Sequence, residues 1–280
     1  MITPELQNKI DRAIKLLQSV QAIAPEEVIQ VSYSGGKDSD VILQLSKEAG
    51  INYRAVYFNT TIDPPGTIKH AQDAGAIIVR PEQNFFQLIA QKGYPSRIRR
   101  FCCESLKERR YGDEKKVILG IRRSESTKRA KLYTDPTVCC GTKKKPLEHI
   151  YPILDWENED VLAFVLDRGI KLAPIYYEGG VINIKNRLGC MGCPLISAKR
   201  RRAFFQENPK WLRAWIKAGH KYLQTHPESA IHRNGDVYAW MFRELFFTRQ
   251  KDWDEYKNSM FGQHDFKRVL ENYFNIDLTI

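Results

Sequence analysis

Apolar residues recur at helical spacing near the start of the chain. Leu6, Ile10, Ile14, Leu17 and Val20 fall on one stripe and predict an amphipathic helix over 3–22. The pattern then changes. Residues 28–33 read as a strand that runs into a glycine-rich turn, and 40–48 return as a helix with Val41, Ile42 and Leu45 facing inward. A second strand is predicted over 53–58, with 59–65 as the loop at its end, then a helix over 67–74 and a third strand over 76–79. A short helix over 85–91, a fourth strand over 117–119 that ends at Gly120, a fifth over 150–153 and a helix over 158–167 complete the series. Glu159 and Asp160 suit the positive end of that last helix.

Strands alternating with helices predict an α/β fold: a mostly parallel sheet with helices on both faces. Such sheets bind ligands beyond the C-terminal ends of their strands, where the glycine turn, the 59–65 loop and Gly120 would lie. From about residue 195 the pattern is helical and rich in Trp, Phe and Tyr. The expected division is therefore an α/β domain over 1–195 and a helical region over 196–280 packed on it. The large aromatics of the tail, among them Trp211, Trp215, Trp240 and Trp253, are expected to pack rather than stack on bases.

The chain has 280 residues, with a hydrophobic share of 42%, which suits a packed core and argues against disorder. No stretch approaches the ~20 apolar residues needed to span a bilayer, and residues 1–15 lack the apolar core of a secretory signal, so a cytoplasmic protein without a membrane partner is expected. The formal net charge of +11 favours polyanionic partners such as nucleic acid or nucleotides. Its distribution says more than its size. Arg97, Arg99, Arg100, Lys107, Arg109 and Arg110 crowd one segment, Lys143–Lys145 a second and Lys199–Arg202 a third, each close to a cysteine pair.

Ser34-Gly35-Gly36-Lys37-Asp38-Ser39 carries the clearest chemistry. Two glycines let the backbone approach an anion, the helix start adds partial positive charge, Lys37 adds a full one, and Ser34 and Ser39 offer hydroxyls. Asp38 would repel phosphate, so capping the helix or helping to hold magnesium suits it better. The spacing is not that of Walker A. It resembles the phosphate loop of the PP-loop ATP pyrophosphatase superfamily, of adenine nucleotide alpha hydrolase-like, Rossmann-like fold. Its members bind ATP and release pyrophosphate, leaving an adenylated intermediate. The resemblance implies catalytic roles for Lys37, Asp38 and Ser39. It also implies ATP contacts from Ser34, Gly35, Gly36 and Gly120, with the adenine near Phe58, Asn59 and Thr60.

The six cysteines form three close pairs: Cys102-Cys103, Cys139-Cys140 and Cys190-Met191-Gly192-Cys193. In a reducing compartment such pairs point to metal or redox chemistry. The C-x-x-C fits zinc, iron–sulfur or dithiol sites, and two pairs together supply the four thiolates of a [4Fe–4S] cluster, with zinc as the alternative. Cys102-Cys103-Glu104-Ser105-Leu106-Lys107, Gly120-Ile121-Arg122-Arg123, Tyr151-Pro152-Ile153-Leu154-Asp155-Trp156 and Leu188-Gly189-Cys190-Met191-Gly192-Cys193-Pro194 resemble the adenylyl- and phosphoadenylyl-sulfate reductase family. That resemblance implies Cys102, Cys103, Cys190 and Cys193 as cluster ligands, and Arg122, Arg123 and Arg129 as phosphate or sulfate contacts. Cys139 and Cys140 have no counterpart in it. They would be carriers of a transferred sulfur, substitute ligands or ordinary loop residues.

One departure matters. The assimilatory reductases use a cysteine near the C-terminus, and here none follows Cys193. The ATP-pyrophosphatase component of bacterial DNA phosphorothioation systems, of the Dnd or Ssp type, is similar in its reductase-like segments, and the basic stretches suit a nucleic-acid acceptor. The resemblance implies ATP, magnesium and a [4Fe–4S] cluster as cofactors. DNA or RNA, a cysteine desulfurase and other modification-system subunits are the partners. Sulfate reduction, transfer-RNA thiolation and a non-catalytic nucleotide-binding subunit are the alternatives.

Overall fold

The computed structural model describes residues 2–139, 147–228, 236–259 and 264–280. The sheet has six strands: β1 (Ile29–Ser32), β2 (Tyr53–Phe58), β3 (Ile77–Val79), β4 (Lys116–Ile118), β5 (Thr137–Cys139) and β6 (Glu148–Ile150). Their order is β3-β2-β1-β4-β6-β5, parallel throughout except where β5 pairs antiparallel with β6. Order reverses at β1, since β2 and β4 flank it, and the chain leaves β1 straight into the glycine turn. This is the crevice geometry in which open parallel sheets bind ligands.

The expected α/β class holds, with small shifts of boundary. The first helix, α1 (Pro4–Ile23), buries Leu6, Ile10, Ala13, Leu17 and Val20. Helix α2 (Lys37–Glu48) starts three residues before the apolar pattern does, because Lys37, Asp38 and Ser39 carry no stripe yet already follow the N-cap Gly36. Helices α3 (Thr67–Asp73), α4 (Phe85–Lys92) and α7 (Asn158–Asp167) lie close to the expected spans. The fifth expected strand is shorter and earlier: β6 ends at Ile150, and Tyr151–Leu154 turn instead. Short helices α5 (Phe101–Leu106) and α6 (Thr127–Leu132) and strand β5 had no periodic signal long enough to be read.

The chain divides into two compact units, and neither is continuous in sequence. One comprises residues 1–59, 63–80 and 108–189 and holds the sheet. The other comprises 60–62, 81–107 and 190–280, so its limits differ from the 1–195 and 196–280 division. The physical reason is the apolar face of α4 and the segment after it. Phe85, Leu88, Ile89 and Tyr94 are buried with Trp215, Tyr222, Trp240 and Phe242 in a single helical core. The helices of that core after residue 195 are α8 (Ala198–Glu207), α9 (Pro209–Thr225), α10 (Val237–Phe246), α11 (Gln250–Asn258) and α12 (Phe266–Phe274).

Gly219 shows how tight this packing is. It sits in α9 against the ring of Tyr94, whose hydroxyl donates to the Trp215 carbonyl at 3.0 Å. A methyl group there overlaps the phenol. Gly219→Ala is expected to destabilise the helical unit by about 1–3 kcal/mol, read as a lower denaturant midpoint at unchanged m-value.

Candidate functional site

The Ser34–Ser39 segment forms the turn after β1 and the start of α2. Tyr33 follows β1, and Gly35 turns the chain with φ +73°. A side chain at Gly35 would also meet Thr67 Cγ2 at 2.9 Å, so only glycine fits. The Ser39 hydroxyl donates to the Gly36 carbonyl at 2.7 Å, and the Ser34 and Ser39 hydroxyls lie 3.2 Å apart. The Lys37 and Leu188 amides both donate to the hydroxyl of Tyr176, at 3.2 and 3.3 Å. The Lys37 ammonium stands 5.4 Å from the centre of the Tyr176 ring. Tyr176 lies 139 residues beyond Lys37, in a one-turn helix over Pro174–Tyr176.

Asp38 does not cap α2, whose N-cap Gly36 has no side-chain bond. Its carboxylate receives the Arg122 Nε at 2.8 Å and lies 3.6 Å from Lys37 Nζ. Arg122 is 2% exposed, and its other nitrogens donate to Ser124 Oγ, the Trp156 carbonyl and Asn158 Oδ1. A guanidinium so engaged orients the loop rather than presenting donors to a sulfate. Gly120 has a related role. A side chain there would strike the Asp38 carbonyl oxygen at 2.9 Å, so glycine lets the end of β4 pass against the loop. Arg123 is likewise committed, donating to the Tyr133 and Thr134 carbonyls and pairing with Asp155. Arg129 and Arg187 both pair with Glu125.

These cations sense one another. Burial holds the Lys37 ammonium below its ordinary pKa of 10.5, and the charges of Arg122 and Arg187 push the same way against the pull of Asp38. Burial, then Arg187 and Arg122, hold Arg129 below its usual value too. The site thus carries more positive charge than its own carboxylates neutralise. Behind the loop, Asp40 is buried and joins Tyr33 Oη to His70 Nε2, the latter at 3.0 Å. Burial pushes the Asp40 carboxyl up while those two hydrogen bonds oppose it. Arg187, Tyr176 and the Tyr33–Asp40–His70 chain had no motif to mark them.

Of the residues expected around adenine, Phe58 is buried, with the Arg109 guanidinium 5.7 Å from its ring centre, and Asn59 donates its amide to the Val79 carbonyl. Thr60 belongs to the other compact unit, where its hydroxyl is 4.0 Å from Cys190 Sγ.

That helical unit brings all four expected ligands together. Cys102 and Cys103, on the first turn of α5, line one small cavity of about 30 Å³ with Cys190 and Cys193. Hydrogen bonding to Cys103 and burial push the Cys102 thiol up, and the charges of Cys103, Cys190 and Cys193 add to it. The four sulfurs thus crowd one another around the cavity. Among the described residues, no three His, Cys, Asp or Glu side chains are grouped to hold a single metal ion. Gly192, at φ +72°, lays the C-x-x-C turn on Phe205 and the indole of Trp215. Two buried donor groups next to it, the Trp215 Nε1–H and the Arg201 Nε and Nη2, have no partner among the described residues. An orphaned donor beside a sulfur pair fits an anionic metal–thiolate group. The basic run 199–202 is therefore not a solvated docking face throughout, since Arg201 and Arg202 turn inward onto the Glu244 and Leu245 carbonyls. Cys139 is exposed at the end of β5, and Cys140 lies outside the described residues.

Comparison with known proteins gives one family. The model of the phosphoadenosine phosphosulfate reductase domain matches residues 28–196. Among curated proteins, an uncharacterized protein of Methanocaldococcus jannaschii is 28% identical over 212 residues, covering 71% of this chain and 42% of its own length. An uncharacterized 37.8 kDa protein of Escherichia phage 186 is 37% identical over 130 residues, covering 41% and 36%. The chain thus spans less than half the length of these relatives. Among solved structures, the phosphoadenylyl-sulfate reductase of Candida auris aligns at TM-score 0.41 and 14% identity, over 62% of this chain and 90% of that one. The U34-tRNA thiolase NcsA of Methanococcus maripaludis, solved with its [4Fe-4S] cluster, aligns at TM-score 0.39 and 14% identity over 81% of each. No helix among the described residues is long and apolar enough to cross a membrane.

Two expectations follow from the loop. Gly120→Ala displaces the Asp38 backbone and should weaken ATP binding by tenfold or more, about 1.4 kcal/mol, in equilibrium titration. The depressed Lys37 pKa sets a pH response. Between it and 10.5 the unfolded chain holds the proton that the folded chain has released, so stability contributed by this group rises with pH. Nucleotide affinity should fall over the same window as the ammonium is lost. Lys37→Met should flatten both profiles.

Proposed function

The chain belongs to the phosphoadenosine phosphosulfate reductase domain family, and from that premise we propose that it is an ATP pyrophosphatase serving sulfur incorporation into nucleic acid, most specifically DNA phosphorothioation. The observation that carries the reading is the concentration of positive charge at the Ser34–Ser39 loop, with Lys37 and Arg122 buried and Arg129 and Arg187 more open to solvent. Lys37 has only a distant share of Asp38, which Arg122 holds, and Arg129 and Arg187 share the single carboxylate of Glu125. A polyphosphate is the ligand that relieves this repulsion.

In the proposed reaction an oxygen of the acceptor attacks the α-phosphorus of ATP. The α–β bridging bond breaks, and its electrons leave with pyrophosphate. Lys37 and the start of α2 stabilise the charge that gathers on the leaving group. Ser34 and Ser39 orient the phosphates, and Asp38 would help to hold magnesium only through Oδ2, since Arg122 holds Oδ1. The adenylated acceptor then carries AMP as its leaving group for attack by sulfur. Cys102, Cys103, Cys190 and Cys193 would hold a [4Fe–4S] cluster, which when bound supplies a sulfur-rich, redox-active centre. The basic segment 97–110 supports a nucleic-acid acceptor, and a cysteine desulfurase is the class of partner that supplies sulfur.

Product analysis tests this. With ATP, magnesium and DNA the full chain should yield AMP and pyrophosphate in equal amounts. DNA binding should weaken steeply with salt, and Lys37→Ala should lower turnover by at least about 10²-fold. ADP and phosphate would contradict the reading. Turnover of adenylyl sulfate to sulfite would replace it with reduction of activated sulfate.

A further inference from the structure

Arg201 is a buried charge of the helical unit. It is 3% exposed, and only Nη1 is satisfied, by the Glu244 carbonyl at 3.1 Å. Its Nε and Nη2 have no partner among the described residues. The nearest carboxylate, that of Glu244, receives Arg243 instead. A buried guanidinium without an anion is strongly unfavourable, and an apolar side chain of similar length would pack the same space.

Its surroundings indicate what the missing anion is. The guanidinium lies 5.1 Å from the centre of the Trp215 ring. The same indole, its N–H also orphaned, lies directly under Gly192. The chain from Cys193 to Arg201 is held by consecutive turns: Ile196 donates its amide to the Cys193 carbonyl and Arg201 its own to the Ser197 carbonyl. The Trp215 indole thus lies beneath the C-x-x-C turn, and the Arg201 guanidinium lies over that same indole. Four thiolates outweigh the charge of a zinc ion or of an oxidised four-iron core, so a metal group held by them is anionic whichever it is.

We infer that Arg201 is the buried counter-charge of the metal–thiolate group held by Cys102, Cys103, Cys190 and Cys193, with the Trp215 indole as its second donor. The inference rests on the cluster reading above. Arg201 touches no reacting atom. It acts by making the loaded, anionic state cheaper than the empty one, and it favours electron uptake by the group because reduction adds negative charge.

The test compares the full chain with Arg201→Met and Arg201→Lys after anaerobic treatment with ferrous iron and sulfide. Three quantities are read: iron and sulfide per chain, the rate of iron loss to a chelator, and the midpoint potential. Thermal unfolding of the metal-free proteins is recorded beside them. Arg201→Met should lose iron about tenfold faster or more and shift the potential negative, while its metal-free form is at least as stable as the parent. Arg201→Lys, which keeps the charge, should fall between. Equal iron retention and potential in the Met variant would overturn the inference. So would faster iron loss matched by an equal loss of metal-free stability, which marks a packing role. Failure of the parent chain to take up iron and sulfide would instead overturn the cluster reading, and this inference with it.

Discussion

The buried pair between Asp38 and Arg122 organises the sheet unit's site. Removing either partner would strand a charge in the interior, so the two residues fix each other and everything they carry. Asp38 lies on the first turn of α2. Arg122 reaches it from beyond β4 and is itself held by Ser124, Trp156 and Asn158. The pair thus locks the glycine loop to the ends of two further segments of the chain. Gly120 makes the lock possible by having no side chain where the Asp38 backbone passes. It also leaves Lys37 with a weak claim on Asp38, and this keeps the lysine's charge available to a ligand.

The helical unit poses the opposite electrostatic problem. If its four cysteines hold a metal group as proposed, that group would be anionic, and the unit places the Trp215 indole under the C-x-x-C turn with the Arg201 guanidinium over it. Arg201 Nε and Nη2 and the Trp215 Nε1–H have no hydrogen-bond partner among the described residues. Under that proposal metal binding would be coupled to the stability of the core, since Trp215 and Phe205 belong to it.

The local features of both sites were legible in the sequence. Strand, Gly-Gly-Lys and helix follow one another, and a Cys-Cys and a C-x-x-C with the family's flanking residues led to four thiols that share a cavity. What was not legible depends on distant packing. The motif around Arg122 and Arg123 did not reveal their partners Asp38, Trp156 and Asp155, which lie 30 and more positions away. Tyr176 and Arg187 lie in irregular segments that carry no period. Thr60 neighbours Asn59 in sequence yet packs with the cysteines, a choice made by the core that Ile62 joins. Arg201 looked like part of an exposed basic run, since charge runs do not reveal that one member faces inward.

Positional isotope exchange tests the central claim most directly, because it reports which phosphate bond the loop breaks even before an acceptor is known. ATP carrying oxygen-18 at the non-bridging β positions would be incubated with the full chain, magnesium and DNA, and the recovered ATP examined for label in its bridges. Migration of label into the α–β bridge, absent in Lys37→Ala, is the predicted result. Label appearing in the β–γ bridge alone would contradict the account, because it would show a loop that releases the terminal phosphate rather than pyrophosphate.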